Sequence, residues 1–255
     1  MEYRWLGKTG IRISRVGIGT GAFPEAGAPR HGARLLRDAA SLGVTFWDTA
    51  NNYDTYREIR LALRWLKSPS SRIVISSKLE AKTARGAARQ IQKCLREIGR
   101  DWIDVMLLHY VQEPLMAWGG AIEALLKTKR RGEITAIGLS THNPRYVREA
   151  IDSGVMDCVF VTLNVAGTWV EGRGGNAAMI RACQEAKRAG LGVVILKVLG
   201  NGALVTQRSR ALRWAARRAF ADGVIVGVET NVQLREDLRY VDQTRNAGPS
   251  SYVPS

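Results

Sequence analysis

Two periods of apolar residues alternate along this chain. At helical spacing stand Leu35, Leu36, Ala39 and Ala40, then Ile59, Ala62, Leu63 and Leu66. Ala88, Ile91, Leu95 and Ile98 repeat the pattern, and so do Met179, Ala182, Cys183 and Ala186. Each set predicts a helix with one buried stripe. Short strand-like apolar runs separate them, at 15–18, 44–47, 73–75, 105–108, 135–139, 158–162, 192–196 and 224–226. A helical segment after each run makes about eight β/α units with no linker between them, the pattern of a closed parallel barrel.

Glycine punctuates the repeat. Gly43, Gly99, Gly132, Gly154 and Gly190 each close a helical segment just before an apolar run, where a left-handed residue is wanted. Lys127, Lys129, Arg130 and Arg131 crowd the turn before Gly132, where cations complement the helix dipole. Asn143-Pro144 reads as an N-cap followed by proline at the first helical position. Ahead of the repeat, segments 3–6 and 12–18 flank Lys8-Thr9-Gly10, which predicts an N-terminal β-hairpin. The fold expected is α/β, a (β/α)8 TIM barrel with that hairpin in front. Residues 1–245 would form one domain, with the stretch from Gln243 loose and 246–255 a disordered tail.

Length and composition narrow the function little. The chain has 255 residues, 45% of them hydrophobic, enough for a substantial core. Met1-Glu2-Tyr3-Arg4-Trp5 has no apolar leader character, and no run of about 18 apolar residues occurs. Cys94, Cys158 and Cys183 are far apart, which fits reduced buried thiols better than disulfides or a zinc site. A cytoplasmic protein without membrane association is expected. The net charge of +15 would attract polyanions. Its carriers, such as Arg57, Arg60 and Arg64, or Arg213, Arg217 and Arg218, are spread along helices and form no nucleic-acid motif. A solvated basic surface is expected, with no specific nucleic-acid partner.

Chemistry enters where strand-like runs end. Asp48 and Tyr53 follow 44–47, Lys78 follows 73–75, and His109 follows 105–108. In a parallel barrel such positions meet around one mouth. A free phenol, with a pKa near about 10, yields its proton more readily beside an ammonium that a carboxylate holds in place. An imidazole could orient a substrate carbonyl. Such a site gives a proton to oxygen while a nicotinamide cofactor delivers hydride to carbon. Taken singly, Asp48 could cap a loop, Lys78 could be a strand-end charge, Tyr53 a half-buried aromatic and His109 a core histidine.

These runs also carry a resemblance. D-T-A-N-N-Y, S-S-K-L and L-L-H-Y, with Y-R-W-L-G-K-T-G-I-R-I-S-R-V-G-I-G-T-G, C-L-R-E-I-G-R-D-W-I-D-V-M-L-L-H and E-I-T-A-I-G-L-S-T-H-N, resemble the aldo-keto reductase superfamily over nearly the whole chain. The resemblance implies that Asp48, Tyr53, Lys78 and His109 are a catalytic tetrad with Tyr53 as general acid. It implies NADP(H) bound extended across the barrel mouth. Thr20 and Gly21 would lie beside the nicotinamide, and Ser140 and Asn164 match positions that hold its carboxamide. A glutamine usual in the sixth barrel strand is replaced by Phe160, and the usual stacking tyrosine by Leu196. In L-K-V-L-G-N-G, Lys197 could face the pyrophosphate, with Leu199 and Gly200 beside it; neutralising a rim carboxylate is the equal alternative for that lysine. Gly227, Glu229, Thr230 and Gln233 fall in the loop that receives the adenosine phosphate. Glu229 would repel a 2′-phosphate unless Arg235 or Arg239 compensates, so NAD(H) is the alternative cofactor.

Gly17-Ile18-Gly19-Thr20-Gly21-Ala22 also fits G-x-G-x-x-A after a strand. A Rossmann turn needs a helix at once, and Pro24 and Pro29 follow instead. For the substrate, a small carbonyl compound, Tyr110, Trp118 and Phe23 are candidate aromatic walls, with simple packing as the other reading. The family's long C-terminal loop is not found, so an open pocket is expected. The leading expectation is an NAD(P)H-dependent reductase of aldehydes or ketones, acting as a monomer or small homo-oligomer. The competing one is a cofactor-binding adaptor with little turnover.

Overall fold

The computed structural model describes residues 1–23, 29–66 and 73–246. Strand β1 (Tyr3–Trp5) pairs antiparallel with β2 (Arg12–Ser14), giving the expected hairpin, with Gly10 at φ +72° in its turn. The second arm was expected to run on to Ile18. It breaks at Arg15 instead, and β3 (Val16–Gly19) is the first barrel strand. The break has a cause in hydrogen bonding. The buried Arg15 guanidinium donates to the carbonyls of Ala221 at 2.5 Å, Ala216 at 2.8 Å and Arg218 at 3.2 Å. Its burial pulls the guanidinium pKa down to about 10.

From β3 the chain alternates. Helix α1 (Pro29–Ser41) leads to β4 (Phe46–Asp48), α2 (Tyr56–Trp65) to β5 (Val74–Leu79), and α3 (Ala84–Ile98) to β6 (Ile103–Leu108). Then come α4 (Gly119–Arg130), β7 (Ile134–Thr141), α5 (Pro144–Ser153), β8 (Cys158–Thr162), α6 (Gly175–Ala189) and β9 (Gly192–Leu196). The last elements are α7 (Arg208–Ala216), β10 (Gly223–Gly227) and α8 (Asn231–Asn246). Strands β3 to β10 pair in parallel, and β10 closes on both β3 and β9, so eight strands form a closed (β/α)8 barrel. A closed barrel leaves no doubly wound sheet, so Gly17 and Gly19 belong to a barrel strand and not to a Rossmann turn.

The five helix-ending glycines all have positive φ, between +65° at Gly154 and +93° at Gly190. Asn143 caps α5 by accepting from Arg145 N, with Pro144 at the first turn. Helix α8 continues past Gln243, where a loose segment was expected; residues 247–255 of the expected tail, like Pro24, lie outside the described residues.

Alternation along each strand divides the core in two. Ile18, Trp47, Ile75, Met106, Ile137, Val159 and Ile195 point outward to the helices. Phe46, Val74, Val105, Leu107, Ala136, Cys158, Phe160, Val194 and Ile225 point inward, closed from below by Leu6, Ile11 and Ile13 around the hairpin. Phe160 and Phe46 meet edge to face there, 6.0 Å apart. The same parity carries Asp48, Lys78, His109, Ser140, Leu196 and Gly227 inward one or two steps further along. The three cysteines are free and buried, their thiol pKa raised by burial. Among the described residues no helix is long and apolar enough to cross a membrane, and no cluster of His, Cys, Asp or Glu could hold a metal.

The interior is close-packed enough to test at one atom. A Cβ on Gly138 would stand 2.1 Å from the Cys158 carbonyl oxygen and 2.8 Å from its sulfur, so backbone must move. Gly138→Ala is expected to cost about 2–3 kcal/mol or more, read as a lower urea midpoint at unchanged slope.

Candidate active site

Three consecutive strands deliver the predicted residues to one mouth. In register, Asp48 pairs with Ser76 and Lys78 with Leu107. Lys78 Nζ lies 2.6 Å from Asp48 Oδ2 and donates to the Thr49 carbonyl at 2.7 Å. Ser76 Oγ donates to Asp48 Oδ1 at 2.7 Å. Both charged side chains are buried, the lysine at 1% exposure. The loop after β4 is held by Thr49 N donating to Ser76 O and Asn51 N to Lys78 O, and it turns Tyr53 back over the pair. The lysine ammonium stands 5.2 Å from the centre of the Tyr53 ring, and the His109 ring meets that ring edge-on at 5.8 Å. All four expected residues therefore come together.

The imidazole is uncharged. Burial first, then the charges of Lys78 and Lys197, push the His109 pKa down to about 3. Near neutrality it can donate or accept a hydrogen bond, but it is no reservoir of acid.

Beside the phenol runs a groove of about 550 Å³, bordered by Gly19, Gly21, Asp48, Tyr53, Gly227 and Glu229, and by Lys197, Leu199 and Gln233. A Cβ on Gly21 would come 3.3 Å from the Tyr53 ring, and one on Gly19 3.0 Å from the Ile225 side chain, so glycine keeps this wall low. The remaining expected contacts are engaged otherwise. Thr20 is fully buried, its hydroxyl linked to Thr55 at 2.7 Å, and Thr55 in turn to Thr49 at 2.8 Å. Ser140 Oγ accepts from Tyr110 N at 2.8 Å. The Asn164 amide donates to the carbonyls of Thr168 and Lys197 and accepts from Ala166 N, Thr168 N and the Thr168 hydroxyl, so it braces the β8–α6 loop. Gly200 is buried, and Thr230 Oγ1 accepts from Gln233 N at the start of α8.

Two of the three expected aromatic walls are core residues. Phe23 is 2% exposed and lies against Gly32, and Trp118 is 4% exposed beneath the Lys82 ammonium. Burial of rings this size in the layer between strands and helices outweighs their place in loops. Only Tyr110 stands at the mouth, half exposed.

Other residues at the mouth lie outside the expected set. Arg208 borders the groove, where Arg235 or Arg239 was expected to compensate Glu229; it forks onto Asp237 with bonds of 2.5 and 2.6 Å. Its signal was its place at the start of the helix after L-K-V-L-G-N-G. Asn201 and Gly202, within that run, also border the groove. Around Tyr110 stand His142, whose ring centre is 4.3 Å away, and Glu171, which accepts from the Tyr110 hydroxyl at 2.6 Å. His142 Nδ1 lies 3.4 Å from Glu171 Oε1 in poor alignment and is buried, with no hydrogen bond among the described residues. Burial and the Lys197 charge lower its pKa to about 4, against the opposite pull of Glu171. No periodicity marks these residues; the loops alone bring them together.

Comparison with known proteins followed the same lines. The Aldo/keto reductase family model matches residues 15–211. The chain is 24% identical over 263 residues to aldo-keto reductase 1 of Glycine max, covering 94% of this chain and 68% of that one. It is 26% identical over 225 residues to the L-galactose dehydrogenase of Arabidopsis thaliana, covering 81% of this chain and 68% of the relative. Curated relatives are longer, and the matches span between 47% and 68% of their length. An aldo-keto reductase structure from Pseudomonas aeruginosa superposes with a TM-score of 0.81 at 24% identity, covering 95% of each chain, which speaks for the fold.

The two neutral imidazoles make the fold sensitive to acid. Unfolded, each takes up a proton near about pH 6.5; folded, His142 and His109 do so only near pH 4 and 3. Protons therefore favour the unfolded chain in that window, and stability present above about pH 6.5 is lost as pH falls through it. Urea midpoints are expected to hold between about pH 8 and 7 and to drop below about 6, with a shallower drop in His142→Gln.

Proposed function

This chain belongs to the aldo/keto reductase family, and from that premise we propose that it reduces an aldehyde or ketone to the alcohol with a nicotinamide cofactor, Tyr53 giving the proton. One observation carries the reading: a half-buried phenol stands over a buried ammonium–carboxylate pair, beside a neutral imidazole, at the edge of a groove.

The groove's volume of about 550 Å³ and its low glycine wall suit a nucleotide laid along the mouth. Gly21, Leu199, Gly227, Glu229 and Gln233 would hold it, and its nicotinamide would supply the hydride that no side chain possesses. The protein supplies the rest. Neutral His109 orients the carbonyl oxygen toward the phenol. Tyr53 passes its proton to that oxygen as negative charge develops there. Lys78, fixed by Asp48, stabilises the phenolate left behind, and water restores the proton after the alcohol leaves.

At the adenosine end Arg208 is neutralised by Asp237, and Glu229 stands on the same groove. A 2′-phosphate finds no free guanidinium among the described lining residues. NADP(H) therefore has no evident advantage, and NAD(H) serves as well.

Fluorescence titration is expected to give NADH and NADPH affinities within about tenfold of each other. Tyr53→Phe should lower kcat on aromatic aldehydes by about 10²–10⁴-fold while cofactor affinity and thermal midpoint stay put. Tight cofactor binding with no turnover on any carbonyl would replace the enzyme with the adaptor. Lys78→Met is a poorer probe, because stripping a buried carboxylate of its partner costs about 3–5 kcal/mol of stability.

A further inference from the structure

Lys197 has no part in the proton transfer, yet its surroundings are built with care. Among the described residues five non-glycine residues have positive φ, namely Asp54, Tyr110, Trp169, Lys197 and Asn201, and all lie in loops after carboxyl ends of barrel strands. Left-handed backbone at residues with a Cβ costs about 1–3 kcal/mol each and persists where a site requires it. Three of the five, at φ +51°, +67° and +53°, gather Tyr110, Trp169 and Lys197 at the mouth with His142 and Glu171.

The lysine is the odd charge in this group. Its ammonium lies 5.2 Å over the Trp169 ring and is half-buried. Among the described residues it has no hydrogen bond, and no carboxylate comes within 4.0 Å. Glu171 is near enough to be felt, but its Oε1 is taken by the Tyr110 hydroxyl. Lys197 acts electrostatically on both His109 and His142, so it stands near the reacting end of the mouth. A free rim lysine would extend into water. This one is held on an indole face beside two neutral imidazoles, with Glu171 felt at a distance but no carboxylate in ion-pair contact among the described residues.

We propose that Lys197 is the anion-binding residue of the substrate site, and that this protein selects carbonyl compounds carrying a carboxylate or phosphate group. The proposal rests on the reductase reading. The Trp169 side chain, in a residue 52% exposed, and the partly exposed Tyr110 ring offer flanks for the carbon chain between carbonyl and anion.

Matched substrates test it. Succinic semialdehyde and 4-carboxybenzaldehyde are compared with their methyl esters, and glyceraldehyde 3-phosphate with glyceraldehyde, in the wild type, Lys197→Met and Lys197→Arg. The wild type should favour the anionic member by about tenfold or more in kcat/KM in at least one arm, and the arm tells carboxylate from phosphate. Lys197→Met should erase that ratio, Lys197→Arg should keep most of it, and NADPH affinity should stay within about twofold. An unchanged ratio in Lys197→Met overturns the proposal. So does a uniform loss with weakened NADPH binding, which would move Lys197 to the cofactor pyrophosphate. Binding of 4-carboxybenzaldehyde to the NADP⁺ complex, read by tryptophan fluorescence, separates the two readings. Charge-selective binding lost in Lys197→Met without turnover keeps the anion site and removes the reductase. Turnover indifferent to charge keeps the reductase and removes the anion site.

Discussion

A carboxylate and an ammonium, 2.6 Å apart and almost sealed from water, sit at the top of the barrel interior between Asp48 and Lys78. Desolvating two charges is costly, and such a pair endures only when each partner finds further hydrogen bonds. Here Ser76 and the Thr49 carbonyl supply them, and both belong to the same strands and loop as the pair itself. The ion pair and the local chain path are therefore one structure. Tyr53 inherits its place from the loop that the pair anchors.

Strand parity explains why these groups face inward at all. Below them the same inward positions hold Phe46, Val74, Val105 and Phe160, so the barrel is filled with apolar side chains up to the level where charge begins. The polar layer has a hydrophobic floor, which keeps water from reaching Lys78 from beneath. Gly17 contributes in a similar way: a Cβ there would meet Ile225 at 2.5 Å and Phe46 at 2.8 Å, so the large ring fits only because the neighbouring strand gives way.

The mouth separates its charges by function. Two histidines stay neutral through burial and neighbouring cations, while Lys78 is paired and Lys197, among the described residues, is in no ion pair. In the proposed reaction this leaves the phenol as the proton source, the imidazole as a guide for the carbonyl, and the second ammonium to meet the far end of a substrate. Loop conformations with positive φ hold the last of these groups, which places cost in the backbone and specificity in the side chains.

The sequence by itself determined the architecture and singled out Asp48, Tyr53, Lys78 and His109 as residues that meet at one rim. Period and glycine placement are local signals: Gly99, Gly154 and Gly190 end helices because the next backbone step is left-handed whatever surrounds it. Asp48, Lys78 and His109 were legible because they stand at strand ends, and strand ends in a parallel barrel share one rim. Tertiary structure decided what depends on packing and on distant loops. Phe23 and Trp118 looked like pocket walls and proved to be core, since nothing local says which side of a loop faces the interior. Thr20 and Asn164 spend their polar groups on holding loops, and Arg208 is matched by Asp237 from 29 residues away. The meeting of Tyr110, His142, Trp169, Glu171 and Lys197 comes from four separate loops. No spacing in the chain encodes it, because only closure of the barrel sets those loops side by side.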